Sequence, residues 1–167
     1  MYAIWFTFQK EDETLLQNII DTLSKKYNSI SFKPHISIYG LTNIKLNKIS
    51  NICQSISSES KPFNVDLLNI SYSNNFWKTI FINLEKNIIM KKIYNNFNEK
   101  INKFENNIFE PHISLIYKKM SNEQKKEISN TFKLKKQFKI NGISILHYSD
   151  KIEDWNIVKT FLFQKNN

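Results

Sequence analysis

The sequence predicts an α+β chain: two strand–helix–strand repeats, related by a pseudo-twofold axis, whose antiparallel sheets form a central cleft. Three observations predict it. A hexapeptide occurs twice, as Phe32-Lys33-Pro34-His35-Ile36-Ser37 and Phe109-Glu110-Pro111-His112-Ile113-Ser114, with five of six positions identical and an offset of 77. The likeness extends upstream, where Ala3-Ile4-Trp5-Phe6-Thr7-Phe8-Gln9-Lys10 matches Thr79-Ile80-Phe81-Ile82-Asn83-Leu84-Glu85-Lys86 at an offset of 76. Between each apolar run and its hexapeptide lies a helical pattern, so each copy is one supersecondary unit.

Taken in order, residues 2–9 form an aromatic-rich strand. Residues 11–27 form an amphipathic helix with Leu15, Ile19, Ile20, Leu23 and Tyr27 as its stripe and Glu11 and Asp12 in its acidic first turn. Residues 31–39 are the first His strand, with Tyr39 on the His35 face by alternation, and Gly40 ends it in a tight or positive-φ turn. A helix follows within 41–57, where Cys53 falls on the apolar stripe and reads as packed. The turn at 58–62 joins the two halves. Strands at 63–72 and 77–84 flank the turn Ser73-Asn74-Asn75. A helix over 88–104 carries Ile89, Ile93, Phe97, Ile101 and Phe104 on one face, and residues 109–117 are the second His strand. Ser121 and Gln124 have capping-box spacing for a helix through about residue 132. Strands at 137–148 and 156–164 close the chain around a turn holding Asp150, Glu153 and Asp154. Residues 1–167 are read as one domain, with a first lobe over about 1–58 completed by the closing strands and a second over about 63–135.

Composition bounds the function. No run reaches the roughly 18 apolar residues of a membrane span, and the chain enters a strand at once without a signal-peptide pattern. A single Cys excludes an internal disulfide, and no Cys/His cluster has zinc spacing. A monomeric, cytoplasmic protein without metal or cofactor is expected. The net charge of +9 comes from 24 Lys and no Arg. Abundant Lys, Asn and Ile with two Gly fit a coding sequence rich in A and T, so the charge is weak evidence for nucleic-acid binding. A positive field still attracts an anionic substrate. Without Arg, phosphate recognition falls to hydroxyls, Lys, His and backbone N–H groups.

Alternation places His35 with Ser37 on one face of its strand and His112 with Ser114 on one face of the other. If the two faces meet, the cleft holds two imidazoles and two hydroxyls. Imidazoles titrate near neutral pH and exchange protons with reacting groups. Hydroxyls suit an anion with non-bridging oxygens, such as a phosphodiester. A lone His in an apolar strand is ordinarily packed or on the surface; its recurrence in the same frame in both halves favours a site. His147 lacks that frame and reads as structural or exposed.

Two His-x-Ser motifs, one per half of a small α+β domain, resemble the two-histidine (2H) phosphoesterase superfamily over nearly the whole chain. Four stretches resemble its plant-type cyclic phosphodiesterases: Tyr2-Ala3-Ile4-Trp5, Phe76-Trp77-Lys78-Thr79-Ile80-Phe81, Pro111 to Tyr117 with Ser121 to Lys126, and Glu153-Asp154-Trp155. The resemblance implies catalysis by His35 and His112, phosphate contacts from Ser37 and Ser114, and no metal or cofactor. It also implies a nucleotide or RNA-end substrate with a cyclic phosphate. Trp77 matches a position where an aromatic lies beside the nucleotide; a core Trp at a strand start is the other reading. Tyr117 matches a Tyr near the phosphate, although alternation puts it opposite His112 unless a bulge or strand end intervenes. The resemblance leaves open which His is the base. It also leaves open the substrate: nucleoside 2′,3′-cyclic phosphates, ADP-ribose 1″,2″-cyclic phosphate, RNA ends, 2′,5′-oligoadenylates or cyclic oligonucleotides. RNA-end ligation and non-catalytic nucleotide or RNA binding are the alternative functions.

Overall fold

A computed structural model describes residues 1–101 and 109–164. Seven strands are described: β1 (Tyr2–Phe8), β2 (Ile36–Thr42), β3 (Phe63–Tyr72), β4 (Ile80–Leu84), β5 (His112–Ile116), β6 (Gln137–His147) and β7 (Asn156–Leu162). Four α-helices accompany them: α1 (Lys10–Tyr27), α2 (Leu46–Ser58), α3 (Ile88–Ile101) and α4 (Asn122–Thr131). All pairings are antiparallel, in one sheet of order β2-β1-β6-β3-β4-β5 with β7 added to β6. None of the described helices is long and apolar enough to cross a membrane.

The sheet order places the two motif strands, β2 and β5, at opposite ends, yet these strands approach each other. The helices exchange sides. α1 packs on β5 and α3 on β2, so each repeat's helix covers the other repeat's motif strand. This buries Leu16 and Leu23 of α1 and Met90, Ile93 and Phe97 of α3 in a continuous core with Ile36, Ile113 and Leu115. Buried Asp12 ties α1 to β6 by accepting the Lys139 N–H at 2.7 Å and pairing with Lys135. The ammonium of Lys118, just past β5, donates to the carbonyls of Tyr27 and Asn28 at the C-terminus of α1.

β6 joins the halves. Its one edge runs along β1, while the other takes β3 at Gln137–Ile140 and β7 from Gly142 onward. Gly142 stands at that fork. A Cβ there would lie 2.6 Å from the Phe161 carbonyl oxygen, a backbone atom unable to yield cheaply.

Both motif strands carry a β-bulge at the same place. Trp5 faces Ser37 and Ile4 faces Tyr39, leaving Ile38 as the extra residue. Phe81 faces Ser114 and Ile80 faces Ile116, leaving Leu115 as the extra residue. A bulge shifts the alternation by one position. Tyr39 therefore leaves the His35 face and enters the core, contrary to the sequence expectation.

Other boundaries differ too. The motif strands begin at Ile36 and His112 rather than at 31 and 109, because proline supplies no ladder N–H at Pro34 or Pro111. Gly40 lies inside β2 without a positive φ. β4 begins at Ile80; Phe76–Lys78 form a 3-10 turn instead of strand. Leu15 and Ile89 are exposed, and Leu16 and Met90 take their places in the core. Phe104 lies outside the described residues. The capping box forms as expected: Ser121 Oγ accepts from the Gln124 N–H at 3.2 Å, and the Ser121 N–H donates to Gln124 Oε1 at 3.2 Å.

The β3–β4 turn is anchored from beneath. Lys125 of α4 is only 2% exposed. Its ammonium donates to the Ser73 carbonyl at 3.0 Å and Asn74 Oδ1 at 2.6 Å, and stands 5.7 Å from the Tyr72 ring centroid. Within the turn, Ser73 Oγ donates to the Lys78 carbonyl at 2.6 Å and the Trp77 N–H to Asn75 Oδ1 at 2.9 Å. Thr79 Oγ1 donates to the Lys118 carbonyl at 3.0 Å.

Two substitutions test this framework by urea unfolding. Gly142→Ala is expected to cost about 1–3 kcal/mol, since backbone must move to admit the methyl group. Lys125→Met is expected to cost about 1–3 kcal/mol by leaving two inward-facing oxygens without their donor. An unchanged midpoint in either variant contradicts the structural role assigned to that residue.

Candidate active site

Each motif histidine is set by the backbone just before it. His35 Nδ1 lies 2.7 Å from the Lys33 carbonyl, and His112 Nδ1 lies 2.8 Å from the Glu110 carbonyl. A carbonyl only accepts, so each Nδ1 carries the proton and donates. Nε2 is left as the basic nitrogen of both neutral rings. The intervening proline holds the carbonyl-bearing residue extended.

All six residues singled out in the sequence line one cavity of about 330 Å³: His35, Ser37, Trp77, His112, Ser114 and Tyr117. Tyr117 reaches it through the bulge at Leu115 and the end of β5 at Ile116, the condition its position required. Its hydroxyl hydrogen-bonds with Ser114, and burial holds its phenol well above the ordinary range. Trp77 sits on the 3-10 turn, 42% exposed, and so is not a core residue at a strand start. His147 lies outside the cavity, exposed, with its ring 5.6 Å from that of Tyr2. Cys53 is fully buried, and burial pushes its thiol up to about 12.

The two halves of the site differ in detail. Trp5 and Phe81 occupy equivalent repeat positions, and each lies beside a histidine. Trp5 stacks flat on His35 at 3.6 Å and 8°. Phe81 meets His112 edge-on at 5.7 Å and 77°. His35 is buried, and loss of hydration lowers its pKa to about 4 despite the Lys33 carbonyl. His112 is less buried and is also lowered, by burial first and then, after the opposing Glu110 carbonyl bond, by the Lys78 ammonium. Lys78 pairs with the Glu110 carboxylate at 3.4 Å. Ser114 Oγ donates to the Trp77 carbonyl at 2.7 Å, whereas Ser37 is exposed and its hydroxyl has no hydrogen-bond partner among the described residues.

The sequence reading missed Trp5, Lys78, Tyr148 and Trp155 as cavity residues. Trp155 is the centre of an aromatic wall. Its indole lies 5.9 Å from Trp77 at 21°, 5.8 Å from Trp5 and 6.3 Å from Tyr117. Its N–H donates to the Ser149 carbonyl at 2.8 Å, which holds the ring in place. Trp5 lies in the family-like stretch Tyr2-Ala3-Ile4-Trp5, the signal that could have found it. Trp155, far along the chain, had no local signal beyond its family-like stretch. Among the described residues no three His, Cys, Asp or Glu side chains gather to hold a metal ion.

Comparison with known proteins gives the family and the fold. A family model for "cyclic phosphodiesterase-like protein" matches residues 1–163. The cyclic phosphodiesterase of Arabidopsis thaliana is 18% identical over 126 residues, which cover 75% of this chain and 70% of that protein. Among solved structures, TT0787 of Thermus thermophilus superposes with a TM-score of 0.67 at 12% identity, covering 100% of both chains. LigT of E. coli complexed with 3′-AMP superposes with a TM-score of 0.60 at 9% identity, covering 97% of each chain. The solved structures share the fold. With two Pro-His-Ile-Ser motifs lining one cavity and the family model spanning nearly all of the sequence, the chain belongs to the cyclic phosphodiesterase-like family of two-histidine phosphoesterases.

Proposed function

We propose that this protein hydrolyses a cyclic phosphodiester, a nucleoside 2′,3′-cyclic phosphate or a related ribose cyclic phosphate, to a phosphomonoester without a metal ion. One observation carries the proposal: both imidazoles enter a single cavity with Nδ1 committed to a backbone carbonyl, leaving two Nε2 atoms to take and give protons. The capture of 3′-AMP by the E. coli relative supports a nucleotide substrate, as does the aromatic wall, on which a base can stack.

In the reaction, water attacks phosphorus as one Nε2 removes its proton. The bond from phosphorus to one ribose oxygen breaks, and that oxygen takes a proton from the other imidazole. His35, neutral at pH 7, suits the base. His112 suits the acid, because the arriving phosphate is an opposite charge that favours its imidazolium form. Ser37 is free to donate to a non-bridging oxygen, where charge grows in the transition state. Ser114 must first release the Trp77 carbonyl, so its hydroxyl both shapes the site and reaches the phosphate. Tyr117 stays protonated beside it and orients it.

The test is turnover, in EDTA, of nucleoside 2′,3′-cyclic phosphates and ADP-ribose 1″,2″-cyclic phosphate, with products read by phosphorus NMR. His35→Ala and His112→Ala are each expected to lose about 10²–10⁴-fold in rate. Survival of either variant at wild-type rate refutes paired-histidine catalysis. The serines are expected to separate. Ser37→Ala lowers kcat by about 10²-fold or less and leaves the melting temperature in place. Ser114→Ala lowers both, with about 1–2 kcal/mol of stability lost along with its bond to Trp77. The base fails as pH falls through its pKa, and the acid fails as pH rises through its own. Both imidazoles of the free protein titrate below 6.5. The bell in kcat/KM is therefore centred below pH 6.5; a centre on the alkaline side contradicts the burial assigned to the two rings.

A further inference from the structure

The chain carries 24 Lys and no Arg, yet of the residues lining the histidine cavity Lys78 alone bears a full positive charge at pH 7. The repeat does not supply it twice. At the 76-residue offset Lys78 corresponds to Tyr2, whose ring meets His147 outside the cavity. The charges beside the two motifs are inverted as well, with Lys33 before the first Pro-His and Glu110 before the second. Lys33 pairs with Glu13 at 3.6 Å and does not line the cavity, whereas Glu110 turns its carboxylate to Lys78 at 3.4 Å. The root of Lys78 is fixed by the turn that carries it. Its N–H donates to the Asn75 carbonyl at 2.9 Å, and its carbonyl accepts from Ser73 Oγ at 2.6 Å. The ammonium lies over the Phe81 ring, 4.7 Å from the centroid, and the same ring meets His112 edge-on. Lys78, His112 and Ser37 border both the cavity and the groove beside it, so cation, imidazole and unpartnered hydroxyl stand where the two spaces join.

Resting on the proposed cyclic phosphodiesterase reading, we propose that Lys78 is the cation that binds the substrate's phosphate and that Glu110 is its resting counterion, displaced when the phosphate arrives. An ammonium has three donors. Among the described residues the Glu110 carboxylate is its one hydrogen-bond partner, at a distance long for a charge-assisted bond. The Glu110 side chain is 69% exposed, so the pair is a weakly held surface one that another anion can replace. A cyclic phosphodiester brings one negative charge, and more gathers on its non-bridging oxygens as water adds. With no guanidinium in the chain and Ser114 engaged by the Trp77 carbonyl, a cation beside His112 is the ready means of offsetting that charge. Glu110 acts through two separate groups. Its backbone carbonyl anchors His112 and its carboxylate holds Lys78, so a change of its side chain leaves the histidine's anchor in place.

The experiment measures binding of inorganic phosphate by calorimetry at fixed ionic strength, and kcat/KM on a nucleoside 2′,3′-cyclic phosphate. Lys78→Gln is expected to weaken phosphate binding by about tenfold or more, the scale of a hydrogen bond to a charged group, and to lower kcat/KM by a similar factor. Lys78→Arg, which keeps the charge, recovers most of both. Glu110→Gln removes the competing carboxylate and is expected to tighten phosphate binding by about twofold to fivefold, the worth of an exposed pair. In the Lys78→Gln background that gain disappears, because no ammonium remains to compete for. Glu110→Gln changes an exposed side chain and still decides the matter if Lys78→Gln does not fold. Phosphate binding by Lys78→Gln equal to that of the wild type overturns the assignment. So does a wild-type protein that turns over the cyclic phosphate but does not bind phosphate. Weaker binding in Glu110→Gln, or an equal gain in both backgrounds, overturns the counterion role. Absence of turnover by the wild type, with phosphate binding still dependent on Lys78, overturns the catalytic reading and keeps Lys78 as the phosphate-binding residue.

Discussion

The structure depends on one strand serving two ladders. β6 pairs with β1 along one edge and with both β3 and β7 along the other. Neither strand–helix–strand repeat can bury its apolar face alone. Sharing β6 makes a single sheet of the two units, and the close backbone approach at Gly142 is the local condition for that sharing. With the units joined there, the sheet's end strands β2 and β5 come near each other, and each repeat's helix covers the other's motif strand. The cleft is thus a consequence of sheet order.

Upon that shared frame the two motifs repeat the same backbone device. Proline keeps the preceding residue extended, its carbonyl pins Nδ1 two residues on, and a bulge after serine ends the alternation. The device is symmetric, but its surroundings are not. A flat indole and near-complete burial make the His35 site inhospitable to charge, whereas the edge of Phe81, the Lys78 ammonium and partial exposure surround His112. Symmetric construction delivers two imidazoles to one place, and asymmetric packing makes them unlike.

The β3–β4 turn shows how a site can be positioned from a distance. Lys125 binds oxygens of Ser73 and Asn74 below the turn, while Ser114 holds the Trp77 carbonyl from the cavity side. Trp77 and Lys78 are consequently presented by a loop gripped on two sides. The Trp77 ring is 42% exposed and lines the cavity beside Tyr117 and Trp155.

By itself the sequence determined the repeat, the α+β class, the His-x-Ser pairs and the order of elements. These rest on local periodicity and on identical strings, which survive without knowledge of contacts. The capping box at Ser121 and the packed Cys53 were legible for the same reason. Only tertiary structure decided which way Tyr39 and Tyr117 point. A bulge is defined by a partner strand, and one extra residue reverses every side chain after it. Tertiary structure alone also brought Trp155 to the cavity and aimed the Ser114 hydroxyl at Trp77. The depression of both histidines belongs to the same class, since desolvation depends on what packs around a ring rather than on its neighbours in the chain.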